Sequence, residues 1–375
     1  MKILRIAIPH GFKMLEPNFT INFLTKTRVD NDSVNEDLLE LEPGFFYPLE
    51  TAFIGKNSSG KTTTLELIGM VLELLNSGRM DKSHLDWKTP FSLEVLFYVK
   101  GTIYRYEGIF RSDERQYLLI EAETLEKTTM KASYRKDLSN ARYVKVPGFT
   151  PHTNGDTSAV CDYANDGSFN VPLDIAEGSV TDFRLFWKWL GENIFLSIVR
   201  LFDDSVESLS PVDKQGNAMN SFWFQRIGEE APTMVDALTL EKLLSKGTVR
   251  GITLYALSII TFRVGGHLLV DEIESSFNRN LIENLMLMYD DKSINKQGGS
   301  IIYSTHYAEL LDIHSRCDNV NVLHREGAKI TLKNMSADYG VRTEMLKSAQ
   351  FNQNTFDTLI NYNRLMDLKE AVRKG

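Results

Sequence analysis

Apolar and polar positions alternate over residues 1–8 and more loosely over 19–24, which predicts two strands. Val29–Glu42 is acidic and polar and reads as a loop. Leu49–Ile54 is a short apolar run leading into a glycine-rich stretch, as a buried strand would. From Thr62 the period changes: Leu65, Ile68, Leu72 and Leu75 recur at helical spacing. Phe91–Val99, Thr102–Phe110 and Gln116–Ile120 then read as three antiparallel strands joined by two turns. Pro147–Pro172, rich in Gly, Asn, Asp, Ser and Pro, reads as a long loop, a kind of segment that often carries function. Residues 180–201 return to helical spacing. Asp236–Gly265 reads as two helices broken at Ser245–Gly247, with the apolar run Ile252–Phe262 as a buried helix. His267–Val270 and Ser300–Ser304 are short buried strands separated by a helix over Leu281–Tyr289. Val320–His324 and Lys329–Leu332 form a hairpin, and 341–374 are C-terminal helices.

Buried strands alternating with helices predict an α/β fold with a mainly parallel core sheet, interrupted by an antiparallel β subdomain and a helical lobe. The expected organisation is a single head over 1–375. Its segments are N-terminal strands and glycine-rich loop (1–88), an antiparallel β segment (89–146), a loop-rich and helical insertion (147–240), and a C-terminal part (241–375).

Composition narrows the class. At 42% hydrophobic and 25% charged the chain is ordinary globular protein, with no internal repeat and no sustained heptads. No apolar run approaches the ~20 residues of a membrane span, and Met1–Ile6 is not a signal peptide. Cys161 and Cys317 make no disulfide framework. Together these predict a cytoplasmic protein that does not enter a membrane. A net charge of -8 argues against a protein that coats nucleic acid unaided, while leaving room for a local basic groove.

The chemistry begins at Gly55-Lys56-Asn57-Ser58-Ser59-Gly60-Lys61-Thr62, which fulfils G-x-x-x-x-G-K-[ST] between a strand and a helix. Two glycines free the backbone to wrap its N–H groups around phosphates, and the helix start adds its positive end. Lys61 is placed to reach the β- and γ-phosphates and Thr62 to offer a hydroxyl to Mg²⁺, so Gly55–Thr63 is the expected ATP-binding stretch. His267–Val270 ends in Asp271-Glu272. In a parallel sheet that end faces the ligand crevice, where Asp271 would serve the metal and Glu272 would act as general base on the attacking water. Glu274 is a further polar contact. His306, just past the strand Ser300–Ser304, is placed to sense the γ-phosphate.

Leu244-Ser245-Lys246-Gly247-Thr248, ahead of an apolar helix, completes a set that resembles the ABC ATPases. Phosphate loop, Leu-Ser-x-Gly signature, Asp271-Glu272, a D-loop segment Ser275-Ser276-Phe277-Asn278 and the switch histidine His306 stand in the family's order. The resemblance implies that two heads stack so that Ser245, Lys246 and Gly247 of one copy cap the ATP of the other. It also implies ATP and Mg²⁺ as cofactors and a homodimer or higher homo-oligomer. Two departures stand out. Thr248 occupies the place of the usual Gln, and the glutamine that normally follows a strand between loop and signature has no clear equivalent, Gln116 being the nearest candidate. The phrases around Asp271 and His306, and Arg250 after the signature, resemble the compact ABC-type ATPases of bacterial anti-phage defence: the overcoming-lysogenization-defect nucleases and the ATPase subunits of the PARIS, Septu and abortive-infection L systems. Nothing after His306 suits a TOPRIM nuclease domain, so the resemblance implies a sensor ATPase that controls a separate effector, a nuclease or toxin. A DNA-repair or chromosome-associated head, with nucleic acid as partner, and a transporter ATPase are the alternatives. Guanine nucleotides are disfavoured because no Asn-Lys-x-Asp element is present.

Overall fold

The computed structural model describes the chain apart from residues 26, 28, 30–36, 81–90, 112–117, 135–136, 153–154, 172–178, 213–219, 276–277, 314–315, 359–361 and 375. Its central sheet is built from β5 (Glu50–Gly55), β13 (His267–Val270), β14 (Ser300–Ser304), β15 (Val320–Glu326) and β16 (Lys329–Asn334), in the order β13-β14-β5-β15-β16. The first four are mutually parallel and β16 returns antiparallel as a hairpin partner of β15. The expected mainly parallel core is therefore present, and β5, β13 and β14 end at one edge of it.

The four parallel strands are largely buried because both their faces are covered. Alternate side chains point to opposite faces, so each of these four feeds two cores. Phe53, Leu269, Ile302 and Leu323 enter one, whereas Ala52, Ile54, Leu268, Val270, Ile301, Tyr303 and Val322 enter the other. The first core lies between the central sheet and a six-stranded antiparallel sheet, with helix α1 (Lys61–Ser77) in the middle. That position explains why α1 buries Leu65, Leu67, Ile68, Met70, Val71, Leu72, Leu74 and Leu75 rather than a single stripe. The second core lies under α3 (Phe183–Leu190), α4 (Glu192–Phe202), α6 (Lys246–Val264) and α7 (Arg279–Asp290).

The antiparallel sheet joins β1 (Lys2–Ile8), β2 (Phe19–Asn22), β6 (Phe91–Val99), β7 (Thr102–Arg111), β8 (Leu119–Thr129) and β9 (Val144–Lys145), in the order β2-β1-β6-β7-β8-β9. Of the two N-terminal strands, β1 thus pairs with β6 and β2 pairs with β1, and neither pairs with the strand that feeds the glycine-rich loop. β8 runs to Thr129, well past the expected Ile120, because Leu125 continues its buried alternation.

Three elements depart from the sequence reading. The segment 29–42 ends in β3 (Leu38–Glu42), paired with β4 (Phe45–Pro48), because Leu38 and Tyr47 are buried despite acidic neighbours. The loop 147–172 contains α2 (Val160–Ala164), whose Val160 and Ala164 pack into the first core. A three-stranded antiparallel sheet of β10 (Val206–Pro211), β11 (Ser221–Arg226) and β12 (Thr233–Asp236) occupies a stretch expected to be loop and helix. Its alternation of Phe222 and Phe224, buried, with exposed Trp223 is clear only once the partner strands are known. The break between α5 (Ala237–Leu243) and α6 falls where it was expected.

Candidate nucleotide site

β5 delivers the chain, buried throughout, to Gly55. The backbone then turns through Ser58 at φ 63° and Gly60 at φ 102°, and α1 begins at Lys61. Gly60 stands in the left-handed region, and a Cβ there would lie 2.6 Å from Ile330 Cδ1. At Gly55 a Cβ would meet Ser59 Oγ at 2.4 Å and the Leu323 carbonyl oxygen at 2.6 Å, so the turn excludes larger residues at both positions. No side chain caps α1 and no acidic residue stands in its first turn. Its leading N–H groups are thus available to an anion. Ser59 Oγ is buried and, among the described residues, has no hydrogen-bond partner. Lys61 Nζ donates to the carbonyls of Gly55 and Lys56 at 3.1 and 3.2 Å, folding back over the loop. Burial lowers its pKa, opposed by the charges of Asp271, Glu272 and Glu274.

The strand ends meet this loop directly. Thr62 Oγ1 donates to Asp271 Oδ2 at 2.6 Å, and Ser304 Oγ donates to the other oxygen of Asp271. Ser304 Oγ also accepts from the Glu272 N–H at 2.8 Å. Glu272 has a φ of 47°, unusual for a residue with a side chain, and the following turn closes with Ser275 N–H donating to its carbonyl at 2.8 Å. The Glu272 carboxylate stands between Ser275 Oγ, 3.2 Å from one oxygen, and His306 Nε2, 3.9 Å from the other. Lys61, Thr62, Asp271, Glu272 and His306, read from separate motifs, are therefore brought into one cluster.

The signature stands at the start of α6. Ser245 caps α6, its Oγ accepting from Thr248 N–H at 2.9 Å, and Ser245 and Lys246 are exposed. Among the described residues no hydrogen bond joins Ser245, Lys246 or Gly247 to residues 55–63. Of the D-loop segment, Asn278 caps α7 through Asn280 N–H at 2.9 Å, while Ser276 and Phe277 lie outside the described residues, as does Gln116.

Ser304 escaped the motif reading, while Arg250 and Glu274 were singled out there without the bonds they make. Ser304 ends a buried strand and looks like core, yet it bridges Asp271 and the Glu272 backbone. Arg250, one turn beyond Gly247, donates to the carbonyls of Asp271 at 2.7 Å and Glu272 at 3.1 Å, which ties the signature helix to the carboxylate turn. Its place after the signature was the only signal. Glu274 accepts from the His306 backbone N–H at 2.6 Å through Oε1.

A family model described as "AAA domain, putative AbiEii toxin, Type IV TA system" matches residues 51–312. No curated protein sequence matches the chain. Among solved structures, the SMC head domain from Thermotoga maritima is similar at a TM-score of 0.42 and 13% identity, over 89% of this chain and 99% of that one.

Proposed function

The chain belongs to this AAA-domain family, and from that premise we propose that it hydrolyses ATP with Mg²⁺ at Gly55–Thr63, in a homodimer or higher homo-oligomer. In this reading Ser245, Lys246 and Gly247 of a second copy complete each site, and the whole chain works as one head. The observation that carries the reading is the bridge from Thr62 through Asp271 to Ser304, because it joins the loop and two strand ends into one cluster. The unpartnered Ser59 hydroxyl, the uncapped start of α1 and Lys61 suit a polyphosphate.

Thr62 and Asp271 would hold Mg²⁺; their oxygens lie 2.6 Å apart, and one carboxylate with one hydroxyl suits an ion that takes its other oxygens from phosphates and water. When bound, that ion neutralises charge on the β- and γ-phosphates. Glu272 accepts the proton of the attacking water, and His306 holds the opposite side of the same carboxylate. Exposure of the Ser245 cap, away from the loop of its own chain, favours action in trans. The family's description, naming a toxin and a Type IV toxin–antitoxin system, supports a sensor or regulatory subunit of a bacterial anti-phage defence system that governs a separate effector, a nuclease or toxin.

Glu272→Gln tests the chemistry: turnover falls on the order of 100-fold while ATP binding persists, a range within the contribution of a general base. An unchanged rate refutes the role of Glu272. Ser245→Arg tests the assembly. ATP-driven dimerisation is lost with monomer binding intact, whereas loss of binding by the monomer contradicts action in trans.

One observation favours a nucleic-acid-associated head as the second reading. Residues 127–145 hold six basic residues and one acidic, a net +5 that leaves -13 for the rest of the chain. Lys131, Arg142 and Lys145 are exposed and, among the described residues, in no ion pair. Duplex binding that weakens steeply with salt and is abolished in K131E/R142E/K145E supports that reading; binding unaffected by the triple substitution removes its basis.

A further inference from the structure

The residues that grip nucleotide and metal account for most polar groups at the strand ends, but not for Glu274. This carboxylate stands two residues after Glu272, on the far side of a tight turn. Its Oε1 accepts the backbone N–H of His306 at 2.6 Å, a charge-assisted bond across to the segment that follows β14. Its Oε2 is buried and, among the described residues, has no hydrogen-bond partner. A carboxylate oxygen in that state is costlier than one on the surface, because a buried acceptor without a donor forfeits its hydration. A side chain kept at that cost, beside the reacting groups, holds something in place.

What it holds follows from the neighbouring bonds. β13 and β14 are adjacent parallel strands, and beyond their last ladder pair three cross-links continue the tie. Glu272 N–H donates to Ser304 Oγ at 2.8 Å, Ile273 N–H donates to the Ser304 carbonyl at 3.1 Å, and Glu274 takes the His306 N–H. The first two fix the turn against Ser304. The third fixes the backbone of His306 itself. With both anchored, the imidazole Nε2 is set 3.9 Å from Glu272 Oε1. Without the Glu274 bond, the backbone around His306 is held by Thr305 N–H to the Phe53 carbonyl at 3.1 Å, on β5, and by Tyr307 N–H to Thr305 Oγ1 at 2.9 Å, and neither bond reaches the turn.

We infer that Glu274 is a positioning residue that clamps the backbone of His306 to the turn carrying Glu272, so that switch histidine and general base move as one unit. The inference rests on the ATPase reading above for its consequence, though not for its geometry. Glu274 touches neither water nor phosphate in this role. Its contribution is to kcat through the alignment of His306, and not to nucleotide affinity.

The clamp can be tested in the full-length protein with two independent readouts. The first is hydrogen–deuterium exchange at the His306 amide, which requires no catalysis. In Glu274→Ala that amide exchanges at least 10-fold faster than in the wild type, with protection of the β14 amides unchanged. The second is steady-state hydrolysis, with Glu272→Gln measured alongside: Glu274→Ala lowers kcat on the order of 10- to 100-fold and moves the KM for ATP by less than about 3-fold, the range over which displaced supporting geometry acts. Glu274→Gln keeps an acceptor oxygen and recovers most of what alanine loses, in exchange and in kcat. Glu274→Asp keeps the charge but falls one methylene short, and behaves like alanine; it also serves if alanine does not fold. Unchanged His306 exchange in Glu274→Ala and Glu274→Asp overturns the clamp. Faster exchange with kcat intact, while Glu272→Gln is inactive, overturns the positioning role. If Glu272→Gln is as active as the wild type, Glu272 is not the general base, and if the wild type does not turn over ATP the ATPase reading fails; in either case the exchange result decides the clamp by itself.

Discussion

Lys2 offers a quantitative test of how the two sheets are joined. Its ammonium is buried at the start of β1 and donates to the carbonyl of Gly266, just before β13, at 3.0 Å and to Oγ of Ser300, which opens β14, at 2.9 Å. Its Nζ also lies 5.1 Å from the centre of the Tyr47 ring. The far ends of the same two strands carry Asp271 and Ser304. Burial pushes the Lys2 ammonium down from 10.5 to about 7, with Asp166 opposing the shift. The sign follows from proton counting. Between pH 7 and 10.5 the unfolded chain carries a proton on Lys2 that the folded chain lacks, so stability rises with pH across that window and the penalty is fully present below pH 7. The full shift corresponds to about 5 kcal/mol, at about 1.4 kcal/mol per pH unit.

Lys2→Met removes the titration while filling similar space. From pH 7.5 to 9.5 the wild type should gain on the order of 2–3 kcal/mol relative to Lys2→Met. Urea unfolding of both proteins, tagged at the C-terminus, measures the difference. The nearby groups are the Met1 amine paired with Asp166, Tyr47, and His267, whose imidazole burial keeps neutral far below its usual range. The Lys2 charge itself lowers the Met1 amine and His267 further, so the comparison reads Lys2 together with its coupling to these two groups. Parallel pH profiles for the two proteins would refute the claim that Lys2 is buried at a cost in its charged form.

Two further substitutions probe the site and its support. Ser304→Ala strips the hydroxyl that accepts from Glu272 N–H and donates to Asp271; it costs about 1–3 kcal/mol of stability in chemical unfolding and lowers kcat for ATP more than it raises KM, and an unaltered kcat would show that the bridge does not orient Glu272. Gly251→Ala places a methyl 2.1 Å from the Phe202 ring, where α6 crosses α4; the unfolding midpoint drops by the equivalent of about 1–3 kcal/mol, and Phe202→Leu in the same chain restores most of it, whereas equal losses with and without that second change would remove the contact as the cause.

What the sequence disclosed, and what it hid, divides along a physical line. Gly55, Gly60 and Lys61 were legible because phosphate binding needs backbone freedom and a cation at fixed spacing, a local requirement that survives in any context. Asp271 and Glu272 were legible because an apolar strand ending in acids has few other uses beside such a loop. The parallel core was legible because strands covered on both faces become uniformly apolar. Ser304 was hidden, since a serine closing a buried strand looks like any small core residue until its neighbours are known. The sheet of β10–β12 was hidden because its alternation is short and its partners are separated by segments with no period of their own. Arg250 and Glu274 were visible by their places beside the motifs, but their partners were hidden, because they bond to backbone groups of distant residues and a backbone carbonyl or amide leaves no mark in a sequence.

That division bears on how the site responds as a unit. The legible residues are the ones that would touch nucleotide; the hidden ones bind the legible ones to each other. Arg250 holds the carbonyls of Asp271 and Glu272 from α6, the helix whose first residues follow Ser245. Glu274 holds His306 from the same turn. If contact with another copy displaces the α6 N-terminus, the Arg250 guanidinium and the Glu274 carboxylate offer a hydrogen-bonded route to the carboxylate turn and on to His306. Coupling through such a chain requires every bond in it. Arg250→Met, which keeps much of the side-chain length but removes the donor nitrogen that serves both carbonyls, should separate events at Ser245 from events at Glu272, so that dimerisation driven by ATP persists while its effect on turnover is lost. Turnover that still follows dimerisation in that variant would place the coupling in the packing of α6 and not in this hydrogen-bonded path.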